Sequence, residues 1–166
     1  CLNENLSSEI TLQPIKRFDF DAAIIFSDIL MLPYGLDQDV KFEKGLGPKL
    51  GELDLNRLQN INDDEFSEKL NSVYKAISKT SINPILKNKD LIGFVGAPWT
   101  ILVYMINKMS PKKDLSKTIF KDKLFVKKLL IIIEKFIKIH IENKIKTDAS
   151  IIQIFNSEAE LQEDKI

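Results

Sequence analysis

The sequence predicts a parallel α/β fold. Three short apolar runs, at residues 22–26, 91–95 and 150–155, have the unbroken hydrophobicity of strands that are covered on both faces of a sheet. Helical patterns lie between them, and an alternation of strands and helices is typical of parallel sheets. Each run passes directly into polar or glycine-rich residues, so we expect a polar rim where the carboxyl ends of the strands meet.

Composition narrows the classes of function. A length of 166 residues suits one domain with its own core, and 44% hydrophobic with 29% charged residues is typical of globular proteins. The 24 basic and 24 acidic side chains balance, which argues against binding nucleic acid or an anionic membrane through bulk charge. No apolar run is long enough to span a membrane. A single cysteine, Cys1, excludes an internal disulfide and favours a reducing, cytoplasmic location.

The first third of the chain contains a helix, a strand and a loop. Asn3 is a suitable N-cap for a helix over about residues 4–12, and Pro14 is expected to open a separate turn. After the strand at residues 22–26, a weaker one is expected at residues 40–43. The following K-G-L-G-P-K sequence lacks the spacing of a phosphate-binding loop, so an ordinary turn is favoured.

The rest of the chain alternates helices and strands. A stripe of apolar residues predicts one amphipathic helix from Asp63 or Asp64 to about residue 79: Phe66, Leu70, Val73, Tyr74 and Ile77. A helix beginning near Trp99 follows the second strand. Asp114 and Asp122 are plausible N-caps of a short helix and of a long one reaching about residue 146. Lysines on the last third are interpreted as a solvated helix face.

Asp28 is the first candidate functional residue, because it lies where the first buried strand emerges. A carboxylate is costly to remove from water unless something uses its charge. The equally weighted alternative is an N-cap or a loop-anchoring carboxylate. His140, the only histidine, is interpreted as a packing residue. One histidine and one cysteine also argue against a metal site or a Ser-His-Asp triad.

Three blocks of sequence resemble the uroporphyrinogen decarboxylase family. They are TLQPIKRFDFDAAIIFSDIL at residues 11–30, IGFVGAPWTILVYM at residues 92–105, and IQIFNS at residues 152–157. The first two are specific, since long ordered matches surround polar residues that periodicity alone would not select. The resemblance runs along essentially the whole chain.

The resemblance implies a fold and an activity. We expect residues 1–166 to form a single incomplete barrel domain, about the second to fourth units of a (β/α)8 barrel, truncated at both ends. The family removes the four acetate carboxyl groups of uroporphyrinogen III as CO2, giving coproporphyrinogen III for porphyrin and haem synthesis. It needs no cofactor and no metal, and it is normally a homodimer. The expected partner is thus a small tetrapyrrole substrate.

The resemblance also implies roles for individual residues. Asp28 matches the family's aspartate beneath the macrocycle, which hydrogen-bonds the pyrrole N–H groups. Tyr104 and Ser157 match residues that hydrogen-bond substrate carboxylates. Three further positions match apolar residues lining the cleft: Ile24, Phe94 and Phe155.

Some of the family pattern is absent. The arginine-rich R-Q-A-G-R motif that binds substrate carboxylates is not present, and Arg17 and Arg57 are the only arginines of the chain. Asn156 and Glu160 replace the usual acid before, and glycine after, Ser157. The isolated chain is therefore expected to be inactive. Two alternatives remain open: a corrinoid- or thiol-dependent methyltransferase of the same superfamily, and a non-catalytic tetrapyrrole-binding barrel.

Overall fold

A computed structural model describes residues 2–45, 47–109 and 122–157. The helices and strands follow one another in the order α1 Glu4–Phe18, β1 Ala22–Ile24, α2 Met31–Gly35, β2 Val40–Glu43, β3 Gly47–Leu50, α3 Leu55–Asn60, α4 Asp63–Lys69, α5 Asn71–Ser81, β4 Asp90–Gly96, α6 Pro98–Asn107, α7 Lys123–Lys146 and β5 Ile151–Phe155, with a 3-10 turn at Pro84–Leu86. The short helix expected after Asp114, and Cys1, lie outside the described residues.

The three strands predicted from the apolar runs form one parallel sheet. Its strand order is β1-β4-β5, and β4 pairs in parallel with both neighbours. Helices connect the strands, as parallel pairing requires. The predicted α/β class with a parallel sheet is therefore confirmed.

A second, two-stranded sheet is a hairpin of β2 and β3. The predicted strand at residues 40–43 is confirmed, but residues 47–50 pair with it in antiparallel register instead of forming a loop. Gly45 and Gly47 have φ angles of 82° and 86°, which glycine adopts without steric cost, so the chain can reverse tightly here. Gly47, Pro48 and Lys49 of the K-G-L-G-P-K sequence thus belong to the second strand of a hairpin.

Helix α1 continues through Pro14, so the predicted break there is wrong. Asn3 caps the helix as expected, because its side chain accepts hydrogen bonds from the backbone N–H groups of Asn5 and Leu6. Beyond the cap, Leu12 and Ile15 are both only 3% exposed, on either side of the proline. Burial of this face against α5 and β1 outweighs the lost backbone hydrogen bond.

The helix predicted to run from Asp63 or Asp64 to residue 79 is two helices. It begins as expected at Asp63, where the Asn62 side chain accepts a hydrogen bond from the Glu65 N–H. Its apolar stripe is buried as predicted, but the chain turns at Leu70 and restarts as α5. Leu70 is 0% exposed, so it is buried as the predicted stripe requires although the helix bends there. Helix α3, capped by Asp54, was not predicted.

One face of the parallel sheet is covered by helices and the other is open. Two apolar clusters fill the helical side, one around α6 and α7 and one between α1, α5 and the sheet. On the open side Ile24 is 59% exposed and Phe155 47%. The prediction of strands covered on both faces is therefore wrong for β1 and β5 within the described residues. On this side the apolar side chains of Ile24 and Phe155 remain exposed.

Candidate functional site

The carboxyl ends of β1, β4 and β5 lie side by side, since the strands are parallel. β4 is central and makes the contacts to both sides: Ile24 is in register with Ile92, and Gly96 with Phe155. Just beyond the ladder, the N–H of Ala97 donates to the carbonyl oxygen of Phe155 at 2.6 Å. The predicted polar rim is thus built from three segments: Ser27-Asp28, Gly96-Ala97 and Asn156-Ser157.

Asp28 lies in the loop that follows β1. Its Oδ1 accepts a hydrogen bond of 2.7 Å from the Leu30 N–H, which fixes the turn into α2. Burial raises the pKa of the Asp28 carboxyl, and the hydrogen bond from Leu30 offsets part of that rise. The loop-anchoring interpretation is therefore correct as far as it goes. Burying half of a carboxylate nevertheless costs free energy, and a neutral side chain could anchor the loop without this cost. The charge at the rim therefore points to a functional role.

Gly96 allows the Asp28 loop to lie directly against β4. A Cβ atom at position 96 would stand 3.3 Å from the Cβ of Ile29 and 2.5 Å from the Cδ1 of Ile101. This close approach needs a residue without a side chain. The end of β4, the start of α6 and the loop after β1 are thereby packed together.

We expect Gly96→Ala to destabilise the protein by about 1–3 kcal/mol, because the new methyl group must displace Ile101 or Ile29 from a closely packed site. Urea unfolding of the variant measures the loss. Gly51→Ala is the matched control, since a Cβ there would stand 3.0 Å from the Cβ of exposed Asp39, whereas at position 96 it would stand 2.5 Å from the side chain of buried Ile101. An equal effect of both substitutions would contradict the packing argument.

The open face of the sheet carries the predicted apolar residues. Ile24, Phe94 and Phe155 share this face by strand register and alternation. The rings of Phe94 and Phe155 meet edge to face, with centroids 5.5 Å apart and planes at 89°. Together they form an exposed apolar surface directly below the rim.

Helix α6 supplies Tyr104 and reaches the end of β5. The Thr100 hydroxyl donates a hydrogen bond of 3.3 Å to Oδ1 of Asn156, next to Ser157. Tyr104 lies one helical turn beyond Thr100, on the same face, and is half-buried, while Ser157 is exposed. Sequence reasoning did not single out Thr100, although it belongs to the G-A-P-W-T block.

The structure therefore gathers the predicted residues on one edge and one face of the sheet. Phe94 and Phe155 are in contact, and the Asp28 loop packs on the end of β4. Asp28 and Ser157 follow the two outer strands, which do not pair with each other.

Lys144 was missed by the sequence reasoning. Instead of joining the solvated face of α7, it is 0% exposed, and its Nζ donates to the carbonyl oxygen of Phe94. Helical spacing contained the signal, since Lys144 lies four residues after His140 and seven after Ile137 on the buried stripe. His140 is a buried packing residue as predicted, with its Nδ1 2.8 Å from the Tyr74 hydroxyl.

The described residues contain neither a cluster of metal ligands nor a membrane-spanning helix. No three of their His, Cys, Asp or Glu side chains are grouped closely enough to hold a metal ion. Among the same residues, no helix combines the length and apolarity needed to cross a membrane.

Comparison with known proteins agrees with the sequence blocks. The family described as uroporphyrinogen decarboxylase (URO-D) matches residues 1–165. Proteins named uroporphyrinogen decarboxylase from Rickettsia bellii and Campylobacter jejuni are 42% and 40% identical over 161 residues, which is 95% of this chain. The chain spans 46% and 47% of the length of these two relatives.

A solved structure also matches the fold. A methyltransferase from Methanosarcina mazei superposes with a TM-score of 0.71, covering 92% of this chain and 45% of that one, at 15% identity. Because the sequences are so different, this likeness concerns the fold alone. The family match over nearly the full chain shows that this chain belongs to the uroporphyrinogen decarboxylase family.

Proposed function

We propose that the complete protein containing this chain is a uroporphyrinogen decarboxylase, a carboxy-lyase of porphyrin and haem biosynthesis. It converts uroporphyrinogen III to coproporphyrinogen III by removing four acetate carboxyl groups as CO2. Family membership and relatives of that name support this activity. The observation that carries it is the half-buried Asp28 carboxylate at the rim above an exposed aromatic face.

Asp28 is proposed to stabilise positive charge on the substrate. Protonation of a pyrrole carbon during decarboxylation creates a cation, and a fixed carboxylate in a low-dielectric cleft stabilises such charge strongly. The Leu30 N–H holds Oδ1 in place, so the carboxylate needs no reorganisation as the charge develops. The second carboxylate oxygen can accept hydrogen bonds from the pyrrole N–H groups.

The remaining candidate residues are proposed to bind the rest of the tetrapyrrole. Ile24, Phe94 and Phe155 offer an apolar surface to the macrocycle. Tyr104 and Ser157 supply hydroxyl groups at the rim that can hydrogen-bond substrate carboxylates. The proposed reaction uses these side chains with no cofactor.

The proposed architecture is a part of a (β/α)8 barrel, about its second to fourth units. Parallel strands with helices on one face only, and an apolar opposite face, are the arrangement of a barrel segment. The structural likeness over 92% of the chain is consistent with this proposal. The complete protein is proposed to be a cytoplasmic homodimer.

The test is conversion of uroporphyrinogen by the purified complete protein, with coproporphyrinogen measured by chromatography after oxidation to the porphyrin. We expect stepwise loss of four carboxyl groups. A folded protein that binds uroporphyrinogen without converting it would instead be a non-catalytic binder. Absence of both binding and conversion would exclude both interpretations.

The isolated 166-residue chain is expected to lack this activity, because neither of its two arginines is available to substrate carboxylates at the rim. Arg57 donates from Nε to Oδ2 of Asp37 at 2.6 Å. Arg17 lies in the last turn of α1, before β1 begins and hence toward the opposite end of the sheet. The same chromatographic assay on the isolated chain checks this prediction. Detectable conversion of uroporphyrinogen by the isolated chain would contradict it.

A further inference from the structure

Strands β1 and β4 separate just below the rim and leave a gap in the hydrogen-bond ladder. The last bond between them joins the Ile25 N–H to the Ile92 carbonyl at 2.9 Å. The next bond of the ladder would run from the Ser27 N–H to the Phe94 carbonyl, and it is not formed. The Phe26 N–H faces away from β4 and donates to Oγ1 of Thr11 at 2.8 Å. In a parallel ladder alternate carbonyls face the same neighbour, so the Phe94 carbonyl points into this gap.

Lys144 fills the gap from the helical side. Its Nζ donates to the Phe94 carbonyl and stands 5.5 Å from the centroid of the Phe94 ring. The side chain reaches this place by passing over Gly93, where a Cβ would lie 3.4 Å from the Cδ of Lys144. One buried amine therefore contacts both the backbone and the ring of a residue on the candidate substrate face.

The surroundings of Lys144 favour the neutral form of its amine. Burial lowers the pKa of Lys144 to about 7. The charge of Lys144 acts on His140, one turn earlier on α7, and Tyr74 of α5 contacts His140. Burial, with the charge of Lys144 in second place, lowers the pKa of His140, while burial raises that of Tyr74 to about 12. None of the ion pairs between described residues includes Lys144.

We propose that Lys144 is a positioning residue of the candidate site: it takes the place of the missing strand partner of Phe94 and holds that ring edge-on to Phe155. This goes beyond the residues that the family resemblance assigns. Its effect on catalysis rests on the proposed function, whereas its effect on Phe94 does not. The Phe94 carbonyl and ring both lie next to the amine. The protonation state of Lys144 therefore affects the open face of the sheet.

The first experiment is a pH titration of the complete protein by NMR, following the carbonyl 13C of Phe94 and the side-chain 13Cε of Lys144. We expect both signals to move with one midpoint near neutral pH. In Lys144→Met the Phe94 signal is expected to lose this midpoint, and in Lys138→Met, which removes an exposed lysine of the same helix, to keep it. A Phe94 carbonyl that does not follow Lys144 in the unmodified protein would overturn the proposal, even if the variants fail to fold.

The second experiment measures uroporphyrinogen turnover between pH 6 and 9. We expect Lys144→Met to raise KM about tenfold with a smaller change in kcat, because a displaced ring weakens substrate positioning. Lys144→Gln keeps a hydrogen-bond donor without a titrating charge, so it should restore KM but give a flat KM profile near pH 7. Unchanged KM and pH profile in Lys144→Met would overturn the positioning role. If no form of the protein turns over uroporphyrinogen, the proposed function fails, while the NMR titration still decides the role of Lys144.

Discussion

Asp28→Asn is expected to lower kcat/KM for uroporphyrinogen at least about 100-fold while leaving the fold intact, since loss of one preorganised electrostatic group typically costs this much. Asparagine has the same shape, and its Oδ1 can still accept the hydrogen bond from the Leu30 N–H. The substitution therefore removes the charge and keeps the turn. Steady-state kinetics of the complete protein measure the loss.

The same variant is expected to be as stable as the unmodified protein at pH 7, or more stable. Burial raises the folded-state pKa of Asp28 above its ordinary value of 3.8. Between these two pKa values the folded protein holds a proton that the unfolded chain has released, so stability rises as pH falls through this window. At pH 7 the charged carboxylate is a net cost, and asparagine relieves it.

Two controls separate charge from structure. Asp21→Asn removes an exposed carboxylate before β1 and should leave kcat/KM unchanged. Asp28→Ala removes both the charge and the turn, so it should lose activity and be about 1 kcal/mol less stable than Asp28→Asn. Activity of Asp28→Asn within twofold of the unmodified protein would show that Asp28 only anchors its loop.

Much of the fold follows from local signals in the sequence. The Asn3 cap, the strand at residues 91–95 and the start of the long helix after Asp122 were all predicted, because each depends on a short pattern. At Asp122 the predicted cap is present: its Oδ1 accepts a hydrogen bond from the Phe125 N–H at 2.9 Å. The boundaries of such elements can therefore be predicted from the residues at their ends.

The errors occur where packing overrides a local signal. Pro14 is a strong helix breaker on its own, yet the burial of Leu12 and Ile15 carries α1 across it. Leu70 belongs to a continuous apolar stripe, yet the chain bends there. Both stretches pack against segments distant in sequence, α5 for α1 and Gly35 for Leu70, which no window of neighbouring residues contains.

The candidate site likewise contains residues that the sequence identifies and one, Lys144, that it does not. Asp28 was identified by its position at a strand end and by resemblance, and the apolar face by resemblance alone. Lys144 was not, because a lysine among many lysines of α7 is expected to be solvated. Its amine reaches the Phe94 carbonyl because Gly93 leaves room for the side chain, β1 stops bonding to β4 after Ile25, and helical spacing puts Lys144 on the buried stripe of α7.

Stability should rise with pH between about 7 and 10 because of Lys144. Burial lowers its folded-state pKa to about 7 from the ordinary 10.5. Within this window the unfolded chain holds a proton that the folded protein has released, so the free energy of unfolding increases with pH. One pKa unit corresponds to about 1.4 kcal/mol, so the full gain across the window is up to about 5 kcal/mol. Urea unfolding of the complete protein at a series of pH values measures the slope.

Lys144→Met should abolish this slope, because the substituted side chain has no proton to release, whereas Lys138→Met should retain it. The two other shifted groups of this cluster act outside the window. The lowered pKa of His140 affects stability below about pH 6.5, and the raised pKa of Tyr74, about 12, affects it above pH 10. A slope that is equal in Lys144→Met and the unmodified protein would mean that the folded protein keeps Lys144 protonated throughout. The amine beneath Phe94 would then be a fixed charge, and the expected pH dependence of KM would be lost with the slope.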